Sequence, residues 1–203
     1  MKIVNLRYAL LLSIAVAVTY LIITFATACK NTVNNPATQS IYIPNGDFEE
    51  WDQLMFLQKW ESNSCPPCMR MCACYIIQQD TIAYHGKYSA KFTFDCNKGT
   101  YATVKFPINS LPQYLDCYVK GKLLQNDTMI IRVTLYQSND SVGTGLWFAP
   151  IQINNFTKIS VPISSNSTIA DSARIFLLLS QNKDSAFIDN QRSEFWVDDM
   201  ILR

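Results

Sequence analysis

The stretch Thr128–Tyr136, "TMIIRVTLY", alternates with a period of two: Met129, Ile131, Val133 and Leu135 fall on one side, Ile130, Arg132, Thr134 and Tyr136 on the other. A strand sends successive side chains to opposite faces, so an apolar row backed by a mixed row marks a half-buried strand. The pattern recurs on both sides of this stretch. "KYSAKFTF" sets Tyr88, Ala90, Phe92 and Phe94 against Ser89, Lys91 and Thr93. "TYATVKFPI" sets Ala102, Val104 and Phe106 against Tyr101, Thr103 and Lys105, and "TKISVPI" repeats the alternation with Ile159, Val161 and Ile163. "RIFLLLS", from Arg174, is more uniformly apolar and suits a central strand with both faces covered. Polar turn clusters such as "QNDT", "QSNDSVGTG", "SSNST" and "SQNKDS" divide these segments, and no helical stripe is sustained after residue 40. Short strands separated by polar turns predict an all-β fold, a two-sheet antiparallel β-sandwich of the jelly-roll kind, over residues 41–203.

The chain begins differently. Lys2 and Arg7 precede an apolar run from Tyr8 to Phe25, followed by the small residues Ala26, Thr27 and Ala28 and then Cys29. This is the layout of a secretory signal peptide over 1–28. The small residues before Cys29 resemble a bacterial lipobox, a resemblance that implies lipidation of Cys29 and an exported lipoprotein of a Gram-negative cell envelope, at the outer membrane or the cell surface. The alternative is an uncleaved membrane anchor, since about 18 apolar residues can span a bilayer. On either reading everything after Cys29 is exported, and the polar segment "KNTVNNPATQS" within residues 29–40 is a flexible tether. Two of the 17 basic residues lie in the signal and all 16 acidic ones follow it, so the exported part carries one net negative charge. A near-neutral chain without a basic run has no electrostatic footprint for nucleic acid.

Setting Cys29 aside leaves Cys65, Cys68, Cys72, Cys74, Cys96 and Cys117. An even number of cysteines in an oxidising compartment predicts disulfides, in pairings the sequence leaves open. Four of the six lie in "CPPCMRMCAC", inside a Cys-rich insertion over 61–80. Cys65-Pro-Pro-Cys68 has the spacing of thioredoxin-like redox pairs, but no amphipathic helix follows it. Zinc or an iron–sulfur cluster is a further alternative, although the ligand spacing is not that of the common zinc modules.

Three segments carry a family resemblance: "IPNGDFEEW", "YHGKYSAKF" and the terminal "FWVDDMIL". In order and spacing they are similar to the galactose-binding-like jelly rolls, a group containing many carbohydrate-binding modules. The resemblance implies the same sandwich and a structural calcium near the chain ends, where Asp47, Glu49 and Asp198 occupy the matching acidic positions. Calcium takes six to eight oxygens, so carbonyls near Gly86 to Tyr88 would complete the set. Alternation allows only one of Asp198 and Asp199 to face the site, and Asp198 is the expected ligand.

Sugar-binding modules stack a pyranose ring on an aromatic face and bind its hydroxyls with planar polar groups. Arg132 and Tyr136, opposite the apolar row of their strand, and Trp147 beyond a Gly-rich turn are the candidate ligand-binding residues. Trp51 and Trp60 are expected beside the first strand, and Trp196 on the core face of the last. Catalysis is not expected. The acidic pairs Glu49–Glu50 and Asp198–Asp199 alternate faces, and the lone His85 lies in a predicted turn with no nucleophile elbow. The expected function is non-catalytic carbohydrate binding by an envelope lipoprotein; the alternative is a structural or adhesive envelope protein that binds a protein partner.

Overall fold

The alternating apolar rows form two antiparallel sheets that face each other across one core. The structure is a computed structural model describing residues 40–64, 77–93, 99–124, 127–150, 152–180 and 193–203. The signal segment, Cys29 and the cysteines 65, 68, 72, 74 and 96 lie outside the described residues. The described residues form twelve strands: β1 (Ile41–Tyr42), β2 (Glu61–Ser62), β3 (Ile77–Asp80), β4 (Ser89–Thr93), β5 (Thr100–Pro107), β6 (Tyr114–Lys122), β7 (Thr128–Gln137), β8 (Asp140–Phe148), β9 (Gln152–Pro162), β10 (Ser164–Ser165), β11 (Ser172–Ser180) and β12 (Glu194–Leu202). The first sheet runs β3-β4-β12-β6-β9, with β1 pairing on β12, and the second runs β10-β8-β7-β11-β5-β2. No helix occurs among the described residues. This is the antiparallel jelly-roll sandwich that the periodicity predicts.

The rows named from the sequence are the rows that fill the core. Met129, Ile131, Val133 and Leu135 of β7 are fully buried, as are Ala102 of β5 and Ala90 and Phe92 of β4. Across the sandwich, Leu115, Val119, Phe195, Val197 and Leu202 complete the packing. Burying one such side chain contributes about 1.5–3 kcal/mol. The β7–β8 hairpin turns through Ser138 (φ 52°) and Asn139 (φ 77°), a pair of left-handed residues whose twist matches that of the strands they join.

Two expectations need correction. β11 is central in its sheet, but only Ala173, Ile175, Leu177 and Leu179 are fully buried; Phe176 and Leu178 are half-buried on the outer face, where side chains of neighbouring strands cover them instead of a third layer. Cys117, expected in a disulfide, is a free thiol, fully buried between the sheets on the inward row of β6 beside Leu115 and Val119. Burial, and secondarily the nearby Asp116 carboxylate, pushes its thiol far up, which leaves it inert toward thiolate chemistry. Removing Cys117 from the pool leaves five cysteines after Cys29, so the even count behind the all-disulfide reading no longer holds. The insertion around the cluster contributes an edge strand to each sheet, β2 against β5 and β3 against β4.

The motif "IPNGDFEEW" explains itself as packing. Asn45, 1% exposed, donates through Nδ2 to the carbonyls of Glu50 and Gln58, each at 2.9 Å, and accepts from the Glu50 N–H at 2.9 Å. Gly46 lies against the last strand, where a Cβ would stand 2.8 Å from the Met200 carbonyl. Phe48 is fully buried, with its ring 5.5 Å from that of Trp60. Trp51 and Trp60 do pack beside the first strand, their indole N–H groups donating to the Phe48 and Pro44 carbonyls at 2.6 and 3.0 Å.

Candidate functional site

Each sheet has an outer face, and the two differ in chemistry. On the first, three of the cations are paired with acids. Lys91 pairs with Glu194 at 2.6 Å, and buried Asp116 receives Lys158 at 2.9 Å, Arg203 at 2.7 Å and the Ser160 hydroxyl at 2.6 Å. Burial alone would raise the Asp116 carboxyl, but Ser160, Arg203 and Lys158 together hold it below the usual carboxylate range. Trp196 lies on this outer face and not in the core, because alternation gives the inward positions to Phe195 and Val197. Lys91 and Lys120 lie over its ring at 4.9 and 5.4 Å, and its indole N–H donates to Asp80 at 3.0 Å. Its face and its donor are therefore both occupied.

The outer face of the second sheet is different. Three adjacent strands, β5, β11 and β7, present Tyr101, Phe176 and Arg132 in one band, with Lys105, Arg174 and Tyr136 further along the same strands. The Tyr101 and Phe176 rings stack at 5.8 Å with 22° between their planes, and the Arg132 guanidinium lies 5.0 Å from the Phe176 centroid. Lys105 and Arg174 approach the Tyr136 ring at 4.9 and 5.8 Å. Across β8 the band continues with Leu146, opposite Arg132, and Phe148, opposite Ile130; they are 49% and 55% exposed. The result is an apolar floor with two guanidinium groups and an ammonium set along it.

Arg132 and Tyr136 thus stand where the sequence puts them, on the outward row of β7. Trp147 does not join them. It pairs with buried Ile131, packs against the core and lies 6.2 Å from the Phe195 ring, on the inward row of β8. The reason is legible in "GTGLWF": Gly143 and Gly145 share the Trp147 row, and a Cβ on Gly145 would stand 2.7 Å from the Pro162 carbonyl and 2.9 Å from a Val133 methyl. The small residues face inward, so Leu146 and Phe148 face outward. Tyr101, Lys105, Arg174 and Phe176 were not singled out from the sequence, although the period-two rule assigns Tyr101 and Lys105 to an outward row.

At the chain ends, Asp198 and Glu49 converge on one loop. Asp198, 1% exposed, accepts from the Tyr84 and His85 N–H groups at 2.7 and 3.1 Å through Oδ2 and from the Asp199 N–H at 2.8 Å through Oδ1. Burial pushes its carboxyl up to about 6, against the opposing pull of those amides. Glu49 accepts from the Lys87 and Tyr88 N–H groups at 2.6 and 3.0 Å. The loop expected to offer carbonyl oxygens to calcium offers amide hydrogens to carboxylates. Among the described residues no three metal-ligating side chains come together. As placed, the donor set does not fit calcium, and Asp47 is not gathered with the other two acids by any hydrogen bond.

No protein-family model and no curated protein sequence matches the chain. Among solved structures it is similar to a cyclase from Fischerella sp. TAU, with a TM-score of 0.52 at 13% identity, covering 81% of this chain and 96% of that one. It is also similar to the enzymatically active domain of bacteriophage CBA120 tailspike protein 4, with a TM-score of 0.52 at 13% identity; the match covers 79% of this chain but 21% of the tailspike chain. A third similar structure is the carbohydrate-binding module TmCBM61 in complex with beta-1,4-galactotriose, with a TM-score of 0.49 at 12% identity, covering 80% of this chain and 97% of that one. At these identities the likeness is one of fold alone: the chain is an antiparallel jelly-roll β-sandwich.

Proposed function

We propose that the outer face of the second sheet is a glycan-binding platform and that the protein is a non-catalytic carbohydrate-binding lipoprotein, exported and held at a Gram-negative cell envelope through Cys29. The observation that carries this reading is the exposed stack of Tyr101 on Phe176 with Arg132 beside it, spread over three adjacent strands. A sugar ring has an apolar C–H face and a rim of hydroxyls. It needs a flat aromatic floor and planar donors at the edge, and this face supplies both. Neighbouring strands about 4.8 Å apart give the band the width of a sugar chain lying across it. The motif resemblance to carbohydrate-binding jelly rolls and the signal-like leader support the same reading from the sequence side.

The platform is tested by measuring binding of the full chain, purified in mild detergent, to a panel of neutral and acidic polysaccharides, with the Tyr101→Ala/Phe176→Ala double variant beside it. Retention of one or more glycans by the native chain, lost in the double variant at unchanged secondary structure, is the expected result. Failure of every glycan in the panel to bind would overturn the reading.

A further inference from the structure

The cations on the second sheet's outer face are arranged in a way the fold alone does not explain. Lys105 and Arg174 are Cα partners across β5 and β11, so two like charges stand directly opposite each other on the same face. Arg132 is the diagonal neighbour of Arg174, since Arg174 pairs with Thr134 on β7. The Cβ atoms of residues so placed stand about 5 Å apart for the direct pair and roughly 7–8 Å for the diagonal one, and like charges opposite one another are destabilising. All three residues are exposed, and none makes an ion pair among the described residues, in contrast to Lys91, Lys158 and Arg203 on the other sheet. Two acids border the triad without forming an ion pair with it: Glu61 on β2 pairs with Thr103 and so stands diagonal to Lys105, and Asp171, which precedes β11, accepts from the Ser138 N–H at 2.6 Å and the Ser172 hydroxyl at 2.9 Å and also feels the charge of Lys105. Tyr136 and Phe176 hold the cations against aromatic rings without neutralising them.

From this triad we infer that the ligand of the platform is an anionic glycan, one whose carboxylate or sulfate groups sit over Lys105, Arg174 and Arg132 while its rings lie on Tyr101 and Phe176. The inference rests on the glycan-binding reading above and narrows it. A guanidinium offers paired N–H donors that match a carboxylate or sulfate edge, and an anion here relieves the repulsion between Lys105 and Arg174. A neutral sugar leaves that repulsion in place. The exported chain as a whole is nearly neutral, so the positive charge is a property of this face and not of the molecule.

The test uses chemically matched pairs on the full chain: polygalacturonate against its methyl ester, and dextran sulfate against dextran, alongside the neutral panel. Binding to at least one acidic member, weakened 10-fold or more in its uncharged counterpart and falling with added salt, is the expected result. The carboxylate and sulfate arms separate the two sources of charge. Lys105→Gln, Arg174→Gln and Arg132→Gln should each weaken acidic binding by roughly 10-fold and leave the melting temperature unchanged or higher, whereas Lys122→Gln on the opposite sheet changes neither. Equal affinity for charged and uncharged partners, or binding to neutral glycans alone, would overturn the inference and leave the platform standing. No glycan binding at all would remove the platform itself. A marked loss of stability in the Lys105 or Arg174 variant would show the triad to be structural. Equal binding of single-stranded DNA would show a face that reads charge without reading sugar.

Discussion

Glu49 and Asp198, near opposite ends of the domain's sequence, hold the same loop: Glu49 accepts the N–H groups of Lys87 and Tyr88, and Asp198 those of Tyr84 and His85. Between these two pairs of amides lies Gly86, in the left-handed region at φ 70°, and a Cβ there would overlap the Glu49 carboxylate. Gly86→Ala therefore adds backbone strain and displaces Glu49 together. The expected loss is at least about 2 kcal/mol, read as a fall of roughly 4–8 °C in melting temperature. An unchanged transition would mean the carboxylate is not seated on the loop.

The same geometry predicts independence from calcium. Amide hydrogens occupy both oxygens of Asp198 and the Glu49 oxygen that faces the loop. Adding millimolar calcium, or removing it with a chelator, is expected to leave the melting temperature within about 1 °C, because an ion that does not bind the native state cannot stabilise it. A calcium-dependent rise of several degrees would require the loop to turn its carbonyls inward.

Asp198 also sets a pH dependence. Its carboxyl is raised to about 6 in the folded chain from an ordinary 3.8. A raised acid favours the neutral form in the fold, so its contribution is fully present below the unfolded value and is lost as pH rises through about 6. The magnitude is on the order of 2–3 kcal/mol. Asp116 works in the opposite sense: its depressed carboxyl contributes stability above the unfolded value, and that contribution is lost only on acidification. In paired melts from pH 4 to 7, Asp198→Asn should therefore gain on the native chain by several degrees. Parallel curves for the two proteins would refute the raised value.

Cys117 is predicted to be a silent thiol. Its side chain is fully buried, and no disulfide ties it. A thiol reagent added to the native chain should leave it unmodified, and denaturant without reductant should reveal one thiol that a Cys117→Ser variant lacks. Cys117→Ser should also cost about 1–3 kcal/mol, since it buries a hydroxyl among apolar neighbours. No new thiol on unfolding would restore the disulfide.

Much of the fold was legible because it rests on alternation. The buried rows of β5 and β7 agree with the period-two pattern, and the short motif "NGDFE" marks the first turn because Asn45, Gly46, Phe48 and Glu49 each have a structural task there. What the sequence hides is which half-apolar row faces the core. In "FWVDD" three large side chains follow one another, and the register with β6 and β4, not hydrophobicity, sends Trp196 outward. The apolar run of β11 misled for a related reason. Phe176 and Leu178 are apolar but sit on the outer face, where a partly solvent-exposed floor and a buried strand read alike. The cationic triad was invisible one strand at a time, because Lys105, Arg132 and Arg174 meet only through the pairing of β5, β11 and β7.

The same difference between rows separates the roles of Trp147 and Phe176. Trp147 and Phe176 are both half-buried aromatics on neighbouring parts of one sheet, but Trp147 faces Phe195 in the core and Phe176 faces outward under Arg132. Trp147→Ala opens a gap between the sheets and should cost about 2–4 kcal/mol of stability, with glycan affinity unchanged wherever the variant remains folded. Phe176→Ala removes part of the floor and should do the reverse: a small change in melting temperature and a loss of glycan affinity of about 10-fold or more, since stacking on an aromatic side chain concentrates binding energy in few residues. Measuring both quantities for both variants separates the roles. If Trp147→Ala abolished binding in a folded chain while Phe176→Ala left it intact, the ligand would have to reach the edge of the sandwich at Trp147, and the outer face of β5, β11 and β7 would lose its claim to the site.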